Sequence, residues 1–291
     1  MNKEPTGAST VVLFSDRPAG GYEIFLMKRA EGHTYREGIY VFPGGLLEEA
    51  DLNPELEACT GGFKGTRAKI ILQEPDIPGS FALGLFMAAI RETFEEAGVL
   101  LARDSSGEVL DLSAPDAAPR FAVYRREIHQ RRLSLVELAR QEKLVFAPDL
   151  LVPYSHWITP ETAPRRFNAR FFLATLPAGQ KPVHDNIELT GSCWMTPARA
   201  LAEQSAGRMP MMPPTFKTIT ELSVFSATEE LFAMVRLRKM KTIMPESFRT
   251  VDGFGIILPD DCSPAAGGQT EDEKKKTRIV MEAGAWKIVT R

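Results

Sequence analysis

The chain has 291 residues, enough to bury a core either as one large α/β domain or as a domain that carries sizeable extensions. Its 35 basic and 38 acidic side chains give a net charge of -3 without a long basic stripe, so nucleic acid is not expected as a partner. No apolar run approaches the roughly 18 to 20 residues that span a bilayer, so we expect no membrane association either.

The first elements in chain order are β-strands. Residues 10–14 and 22–27 are β-branched, aromatic or aliphatic, and "DRPAGG" separates them, which predicts a hairpin. A short third strand, "GIYVF", leads into Pro43, Gly44 and Gly45. Because paired glycines permit backbone conformations that are closed to other residues, we expect a sharp turn there.

A helix follows an irregular stretch. Residues 46–80 are rich in Gly, Pro and charge and have no sustained period, so we interpret them as an irregular insertion. From residue 81 the pattern is helical, with one apolar stripe that includes Leu85, Ala88 and Phe94, and Gly98 is placed to cap the C-terminus.

The remaining elements alternate. The charged segment 119–143 predicts one or two surface helices, "RRFNARFFLATLP" a strand, and "ELTGSCWMTPARALAEQ" a strand followed at Pro197 by a helix. Residues 215–241 predict a helical pair broken near Ser226, and the tail holds strand-like runs around the solvated loop "DDCSPAAGGQTEDEKKKT". Such alternation predicts a sheet with helices on its faces.

The predicted helix that ends at Gly98 carries Glu92, Glu95 and Glu96 within about 100 degrees of arc. Acids in a last helical turn cost roughly 0.3 to 1 kcal/mol each, and like charges roughly 6 Å apart repel by about 3 kcal/mol at an effective dielectric of 20. A divalent cation such as Mg²⁺ or Mn²⁺ would turn this repulsion into attraction. The alternative is a solvated helix face on which Arg91 pairs with Glu95, worth about 0.2 to 0.5 kcal/mol.

"VFPGG" and "AAIRETFEEAGVL" together resemble the two halves of a Nudix box, G-x5-E-x7-R-E-U-x-E-E-x-G-U, in which U is aliphatic. Gly45 matches the first glycine of the pattern. In its second half, R-E corresponds to Arg91 and Glu92, E-E to Glu95 and Glu96, and G-U to Gly98 and Val99. Thr93 departs from the pattern, because it occupies a position at which an aliphatic residue is expected. Arg91 lies 46 positions after Gly45 (91 minus 45), where the pattern places it 14 positions after, so about 32 extra residues interrupt the box and the middle glutamate is not assigned.

This interruption resembles the branch of Nudix hydrolases that includes the peroxisomal coenzyme A diphosphatase. The resemblance continues through "HWITPETAPRRFNARFFLATLP" and "WMTPARAL", although Asn168 stands where we would expect an aspartate. It implies an α/β/α sandwich with a mixed sheet at 8–208, with the insertion at about 46–80. A C-terminal helical extension at 209–258 and a tail of loop and short strands at 259–291 would follow.

The resemblance also implies the chemistry of the site. Glu95, Glu96 and the Gly44 carbonyl would be ligands of Mg²⁺ or Mn²⁺, Glu92 a ligand or the base that orients water, and Arg91 would hold the acids in place. Glu188, six residues before Trp194, is a candidate ligand or base, with an ordinary strand-end acid as the alternative.

Three arginines are candidates for substrate binding. Arg29 is a candidate phosphate contact or a structural ion pair. Arg165 and Arg166 are candidates for a 3'-phosphate or are simply exposed.

The implied reaction is hydrolysis of coenzyme A or an acyl-CoA to 3',5'-ADP and a 4'-phosphopantetheine product. ADP-ribose, NADH or another nucleoside diphosphate derivative is the alternative small-molecule substrate, and a non-catalytic nucleotide-sensing module is a third possibility, although such modules usually lose the box acids. The odd count of three cysteines and the C-terminal "IVTR" lead us to expect reduced thiols and a cytoplasmic protein. Met209, Met211 and Met212 suit an adaptable apolar surface, which core packing or a homodimer contact explains as well as an acyl-chain groove would.

Overall fold

The computed structural model describes residues 4–30, 38–185, 189–251, 253–259 and 277–290. Its strands are β1 (Thr6–Asp16), β2 (Tyr22–Arg29), β3 (Tyr40–Val41), β4 (Gly44–Leu46), β5 (Ala102–Arg103), β6 (Val145–Phe146), β7 (Val152–Ile158), β8 (Phe167–Thr175), β9 (Leu189–Met195), β10 (Thr242–Ile243), β11 (Glu246–Thr250), β12 (Gly253–Ile257), β13 (Thr277–Glu282) and β14 (Ala285–Thr290). Its α-helices are α1 (Glu55–Ala58), α2 (Gly65–Leu72), α3 (Gly79–Ala97), α4 (Ala117–His129), α5 (Leu135–Glu142), α6 (Pro197–Ser205), α7 (Pro213–Leu222) and α8 (Thr228–Leu237).

The central sheet is mixed. Its main path runs β10-β7-β8-β1-β2-β3, while β4 also pairs with β1 and β9 with β2. β1 runs parallel to β8 and antiparallel to β2 and β4. The predicted hairpin is confirmed, with Phe14 opposite Ile24. As a result, the glycine strand β4 lies beside the N-terminal half of β1.

Both faces of this sheet are buried. On β1, Val11 and Leu13 belong to one apolar cluster, which includes the buried face of α3, and Val12 and Phe14 belong to a second. Side chains alternate along a strand, so a central strand that is apolar at every position must be covered on both sides. Residues of α6, α7 and α8 and of the C-terminal strands cover the second face. The result is the expected sandwich of helix, sheet and helix.

Helix α3 spans the sequence that carries the three glutamates, and it begins two residues before the predicted start at Phe81. Gly98 caps it in the left-handed conformation with φ of 71°, as predicted. The amide of Gly98 donates to the carbonyl of Phe94 at 2.9 Å, and that of Val99 to Thr93 at 3.3 Å. The bond from Gly98 closes the helix as an αL C-terminal cap, a conformation that glycine permits.

The segment 46–80 is not irregular, and that prediction is wrong. It contains a 3-10 helix at Glu49–Leu52 and the helices α1 and α2 before α3 begins. Gly65 and Gly79 touch so closely that a Cβ on Gly65 would lie 2.5 Å from the carbonyl oxygen of Gly79. Glycine therefore lets α2 pack against the start of α3. The helices are too short for a sustained apolar period to emerge.

The predicted surface helices within 119–143 correspond to α4 and α5. The helical pair predicted at 215–241 corresponds to α7 and α8, although α7 begins at Pro213 and α8 ends at Leu237. The C-terminal strands form a separate sheet in the order β11-β12-β13-β14, which was not anticipated as one unit. The predicted loop at 260–276 lies outside the described residues. Within the described chain, no helix is both long and apolar enough to cross a membrane.

Candidate active site

Two glycines of β4 lie against the glutamates of α3. The amide of Gly44 donates to Oε2 of Glu96 at 2.7 Å. A Cβ on Gly45 would lie 2.3 Å from Oε1 of Glu92. Gly44 has a φ of 156°, and a Cβ there would meet the carbonyl oxygen of Ser9 at 2.3 Å. Only glycine lets this strand approach both β1 and the carboxylates.

Arg91 is the centre of the charge network. Its Nε and Nη2 donate to the two carboxylate oxygens of Asp51, each at 2.9 Å. Its Nη1 donates to Glu92 at 2.8 Å and to Glu95 at 3.1 Å. Nη2 also donates to the carbonyl of Leu46 at 2.9 Å. One guanidinium thus contacts two glutamates of α3, the last residue of β4 and a buried aspartate of the insertion.

Helix α4 supplies two further groups to the C-terminal end of α3. Arg125 donates to the carbonyls of Glu95 and Glu96, each at 2.8 Å. Nδ1 of His129 lies 3.5 Å from Oε2 of Glu95. A cation at a helix C-terminus offsets the negative macrodipole. Arg125 therefore offsets part of the unfavourable interaction between the glutamates and the negative end of the helix dipole, which a metal ion would otherwise have to offset.

Burial raises the pKa of Glu92 to about 7, and the charges of Glu95 and Asp51 add to the rise, while Arg91 opposes it. Burial alone would lower the pKa of Arg91, but its carboxylate partners raise it well above its usual value. Burial also lowers the pKa of Arg125, although Asp185 and the two glutamates oppose that shift. The acidic cluster as it stands is therefore short of positive charge.

In this arrangement Arg91 occupies the space between Glu92 and Glu95, and Glu96 is bonded to Gly44. Among the described residues, no three His, Cys, Asp or Glu side chains are arranged so that they could hold a metal ion without moving. The donor set is nevertheless one that suits Mg²⁺ or Mn²⁺, because Glu92 and Glu96 lie against the glycines of β4 and Glu95 shares Arg91 with Glu92. The long glutamate side chains can reorient by rotation about their own bonds.

A cleft of about 290 Å³, called the site cleft below, is lined in part by Gly44 and Gly45 of β4. Its walls include Arg29, Gly44, Gly45, Trp157, Phe167 and Met212. Sheet residues and the start of α7 thus form its sides. A ligand in this cleft would lie next to the glycines that contact Glu92 and Glu96.

The structure brings together Gly44, Arg91, Glu92, Glu95 and Glu96. The Arg91–Glu95 pair of the alternative interpretation also forms, but this face of α3 is not solvated, because only 7% and 13% of the two side chains are exposed.

The other candidates lie apart from this group. Arg29 lines the site cleft. Arg166 does not line it, and its Nε donates to the carbonyl of Thr159, a cleft residue, at 3.2 Å. Arg165 precedes it on the same exposed turn. Glu188 lies outside the described residues. The substrate roles of Arg29 and Arg166 stay predictions.

Sequence reasoning missed three residues of the site. Asp51, the buried partner of Arg91, lies six positions after Gly45, which is where the box pattern has its middle glutamate, so that spacing was an available signal. Arg125 and His129 lie four residues apart on α4 and so share one helix face. Nothing in their local sequence links them to α3, because the contact arises from packing.

Comparisons with known proteins identify the family and the fold of the chain. The family model "NUDT19 Nudix domain" matches residues 63–222. The chain is 28% identical to the acyl-coenzyme A diphosphatase NUDT19 of Gallus gallus over 278 residues, which cover 82% of this chain and 72% of that protein. It is 27% identical to the protein of the same name from Homo sapiens, with 84% of this chain and 72% of that protein covered.

Among solved structures, a Nudix hydrolase from Alicyclobacillus acidocaldarius matches with a TM-score of 0.65 and 23% identity, covering 79% of this chain and 96% of that one. At this identity the likeness concerns the fold. It bears out the predicted Nudix-type α/β/α sandwich.

Proposed function

Because the chain belongs to the Nudix family, in the group described by the NUDT19 Nudix domain, we propose that it hydrolyses the diphosphate of coenzyme A or an acyl-CoA. The products would be 3',5'-ADP and 4'-phosphopantetheine, or its acyl form. The single observation that carries this proposal is the cluster in which Arg91 bonds Glu92 and Glu95 while Gly44 and Gly45 of β4 contact Glu96 and Glu92.

The residues of the chain have distinct tasks in this reaction. Asp51 and the Leu46 carbonyl orient Arg91, and Arg91 in turn orients Glu92 and Glu95. The amide of Gly44 orients Glu96. The carboxylates are therefore held close to one another before a substrate arrives, and only rotation of their side chains is needed to bring them around an ion.

Nudix hydrolases generally need divalent cations, and we infer Mg²⁺ or Mn²⁺ here. The donor set fits, since hard oxygen ligands from Glu92, Glu95 and Glu96 suit either ion and the cluster lacks positive charge. Such an ion supplies charge neutralisation of the diphosphate and a bound water of lowered pKa. The Gly44 carbonyl is proposed as a further ligand.

The substrate is proposed from the relatives, two of which are named acyl-coenzyme A diphosphatases and align over most of this chain. The site cleft supports a diphosphate ester of some length, because it extends from Gly44 to Met212. Hydrolysis of ADP-ribose or NADH is the alternative. A sensing module is less well supported, since Glu92, Glu95 and Glu96 are all present.

A product-resolved assay tests the proposal. The purified protein is incubated with Mg²⁺ and, in parallel, with CoA, dodecanoyl-CoA, ADP-ribose and NADH, and the products are separated by chromatography. We expect 3',5'-ADP from the two CoA substrates at the highest kcat/KM. Faster cleavage of ADP-ribose or NADH would support the alternative, and tight binding without any cleavage would support the sensor.

A further inference from the structure

A second, apolar cavity of about 340 Å³ lies beside the site cleft and is called the apolar cavity here. It lies between the ends of β7 and β8, the start of α7, and the strands β11 and β12. Its apolar walls include Trp157, Phe167, Met212, Phe248, Phe254 and Ile256. Among the described lining residues the only charged one is Arg249, whose side chain is exposed.

The apolar cavity and the site cleft are continuous. The following residues line both of them: Trp157, Thr159, Phe167, Met212 and Pro214. The site cleft reaches Gly44 and Gly45, which contact Glu96 and Glu92, whereas the apolar cavity reaches the C-terminal sheet. The glutamates themselves do not line the cleft, so a ligand whose diphosphate lies at Gly44 and Gly45 would extend past the five shared residues toward the apolar cavity.

The polarity changes along this path. Thr10, Thr159 and Thr215 line the site cleft and offer hydroxyl groups to a polar arm that contains amides. Beyond Met212 most of the wall consists of proline and aromatic or aliphatic side chains, and Thr162, Ser247 and Arg249 are its exposed polar residues. A nucleobase needs hydrogen-bond partners in its pocket, and a 3'-phosphate needs cations, so neither matches these walls as well as a hydrocarbon does.

We propose that the apolar cavity binds the acyl chain of acyl-CoA and makes the C-terminal sheet a determinant of chain-length preference. This inference rests on the proposed function. Each methylene group that leaves water for such a cavity tightens binding by up to roughly fourfold. The pantetheine arm would lie in the site cleft, and the acyl chain would end against Phe248, Phe254 and Ile256.

The test is a binding series by calorimetry with EDTA, so that no substrate is cleaved. The ligands are CoA, butanoyl-CoA, octanoyl-CoA and dodecanoyl-CoA, each below its micellar concentration. For the wild type we expect Kd to fall with chain length, with dodecanoyl-CoA at least tenfold tighter than CoA. Equal Kd values across the series would overturn the inference.

Variants locate the binding site of the chain. Ser247→Trp places a large ring in the apolar cavity from its exposed rim, and Phe254→Asp places a charge in its wall. Both variants should lose the preference for the long chain, so that the Kd for CoA divided by the Kd for dodecanoyl-CoA falls toward one. Val251→Trp changes a fully exposed residue of the same hairpin that lines neither cavity, and it should keep the wild-type ratio.

Two other outcomes are distinguishable. If Ser247→Trp weakens CoA and dodecanoyl-CoA by the same factor, the nucleotide half occupies the cavity and the inference is wrong. If neither CoA nor dodecanoyl-CoA is cleaved with Mg²⁺, the proposed function fails, while the binding series still decides what the apolar cavity holds.

Discussion

Asp51 receives both Nε and Nη2 of Arg91 at 2.9 Å, and these two residues lie 40 positions apart in the sequence. Both side chains are buried, with 1% and 7% of their surfaces exposed. The pair joins the first turn of the insertion to the helix that carries the glutamates. The insertion thereby contributes a residue to the candidate active site.

Replacement of Asp51 by alanine should lower the free energy of unfolding by about 3 kcal/mol, because it leaves a buried guanidinium without its bidentate partner. Arg91 keeps Glu92 and Glu95, so the protein should still fold. Urea denaturation measures the loss, and kcat/KM for CoA should fall in parallel. Glu55→Ala is the control, since its pair with Arg140 is exposed and worth about 0 to 1 kcal/mol. Equal losses for the two variants would contradict the assigned role of Asp51.

The Gly45→Ala variant should displace the Glu92 carboxylate, because the new Cβ would lie 2.3 Å from its Oε1. A shift of about 1 Å at a catalytic group reduces turnover by roughly 100-fold. Steady-state kinetics with CoA measure the effect. Gly191→Ala on β9 is the matched control, as its Cβ would meet its nearest atom, on Lys28, at 4.0 Å. A turnover rate of Gly45→Ala equal to that of the wild type would contradict this prediction.

Glu96→Gln should reduce kcat by orders of magnitude and leave the melting temperature equal or slightly higher. Glutamine can still accept the Gly44 amide hydrogen, and loss of a negative charge at the end of α3 relieves roughly 0.3 to 1 kcal/mol of dipole repulsion. Activity assays and thermal unfolding of the same preparation are the measurements. Full activity, or a large fall in melting temperature, would argue against a catalytic carboxylate.

His156 should make stability depend on pH. Nε2 faces Asn168 and Nδ1 faces Thr242, and Glu74 lies 3.9 Å away. Burial and the charge of Arg170 lower its pKa, against the opposing effects of Asn168 and Glu74. As pH falls, the unfolded chain therefore binds a proton at this histidine before the folded protein does. The contribution of His156 to the free energy of unfolding is fully present above the unfolded pKa of about 6.5 and decreases as pH falls below that value.

Urea denaturation between pH 7.5 and 5 measures this loss, which one histidine limits to about 1.4 kcal/mol per pH unit. His156→Gln should reduce the slope, whereas His184→Gln, which removes a half-buried histidine elsewhere, should retain it. If the slope survives in His156→Gln, other groups cause it.

Much of the fold could be predicted from the sequence because the patterns that indicate it are local. The apolar alternation of β1, the period of α3 and the cap at Gly98 each lie within one short stretch of sequence. The same holds for the glutamates, which share a helix face by spacing alone. The interrupted box could be recognised because its second half is nearly intact.

The remainder depends on contacts between distant segments. The helices of the insertion are short and are stabilised by packing on α3, so their sequence resembles a loop. Arg125 and His129 reach the glutamates only because α4 lies beside α3. Likewise, Glu74 of the insertion pairs with Arg170 on β8, a contact that no local sequence pattern predicts. Sequence periodicity reports on neighbours along the chain and gives little information about such pairs.

The central claim is that the glutamates beside Gly44 and Gly45 bind the divalent ion that engages the diphosphate. The most direct test is titration of Mn²⁺ followed by electron paramagnetic resonance, in the wild type and in the double variant Glu95→Gln/Glu96→Gln, with Glu55→Gln as control. We predict that the double variant binds Mn²⁺ at least tenfold more weakly than the wild type, while Glu55→Gln binds it equally well. Unchanged Mn²⁺ affinity in a folded double variant would contradict the account.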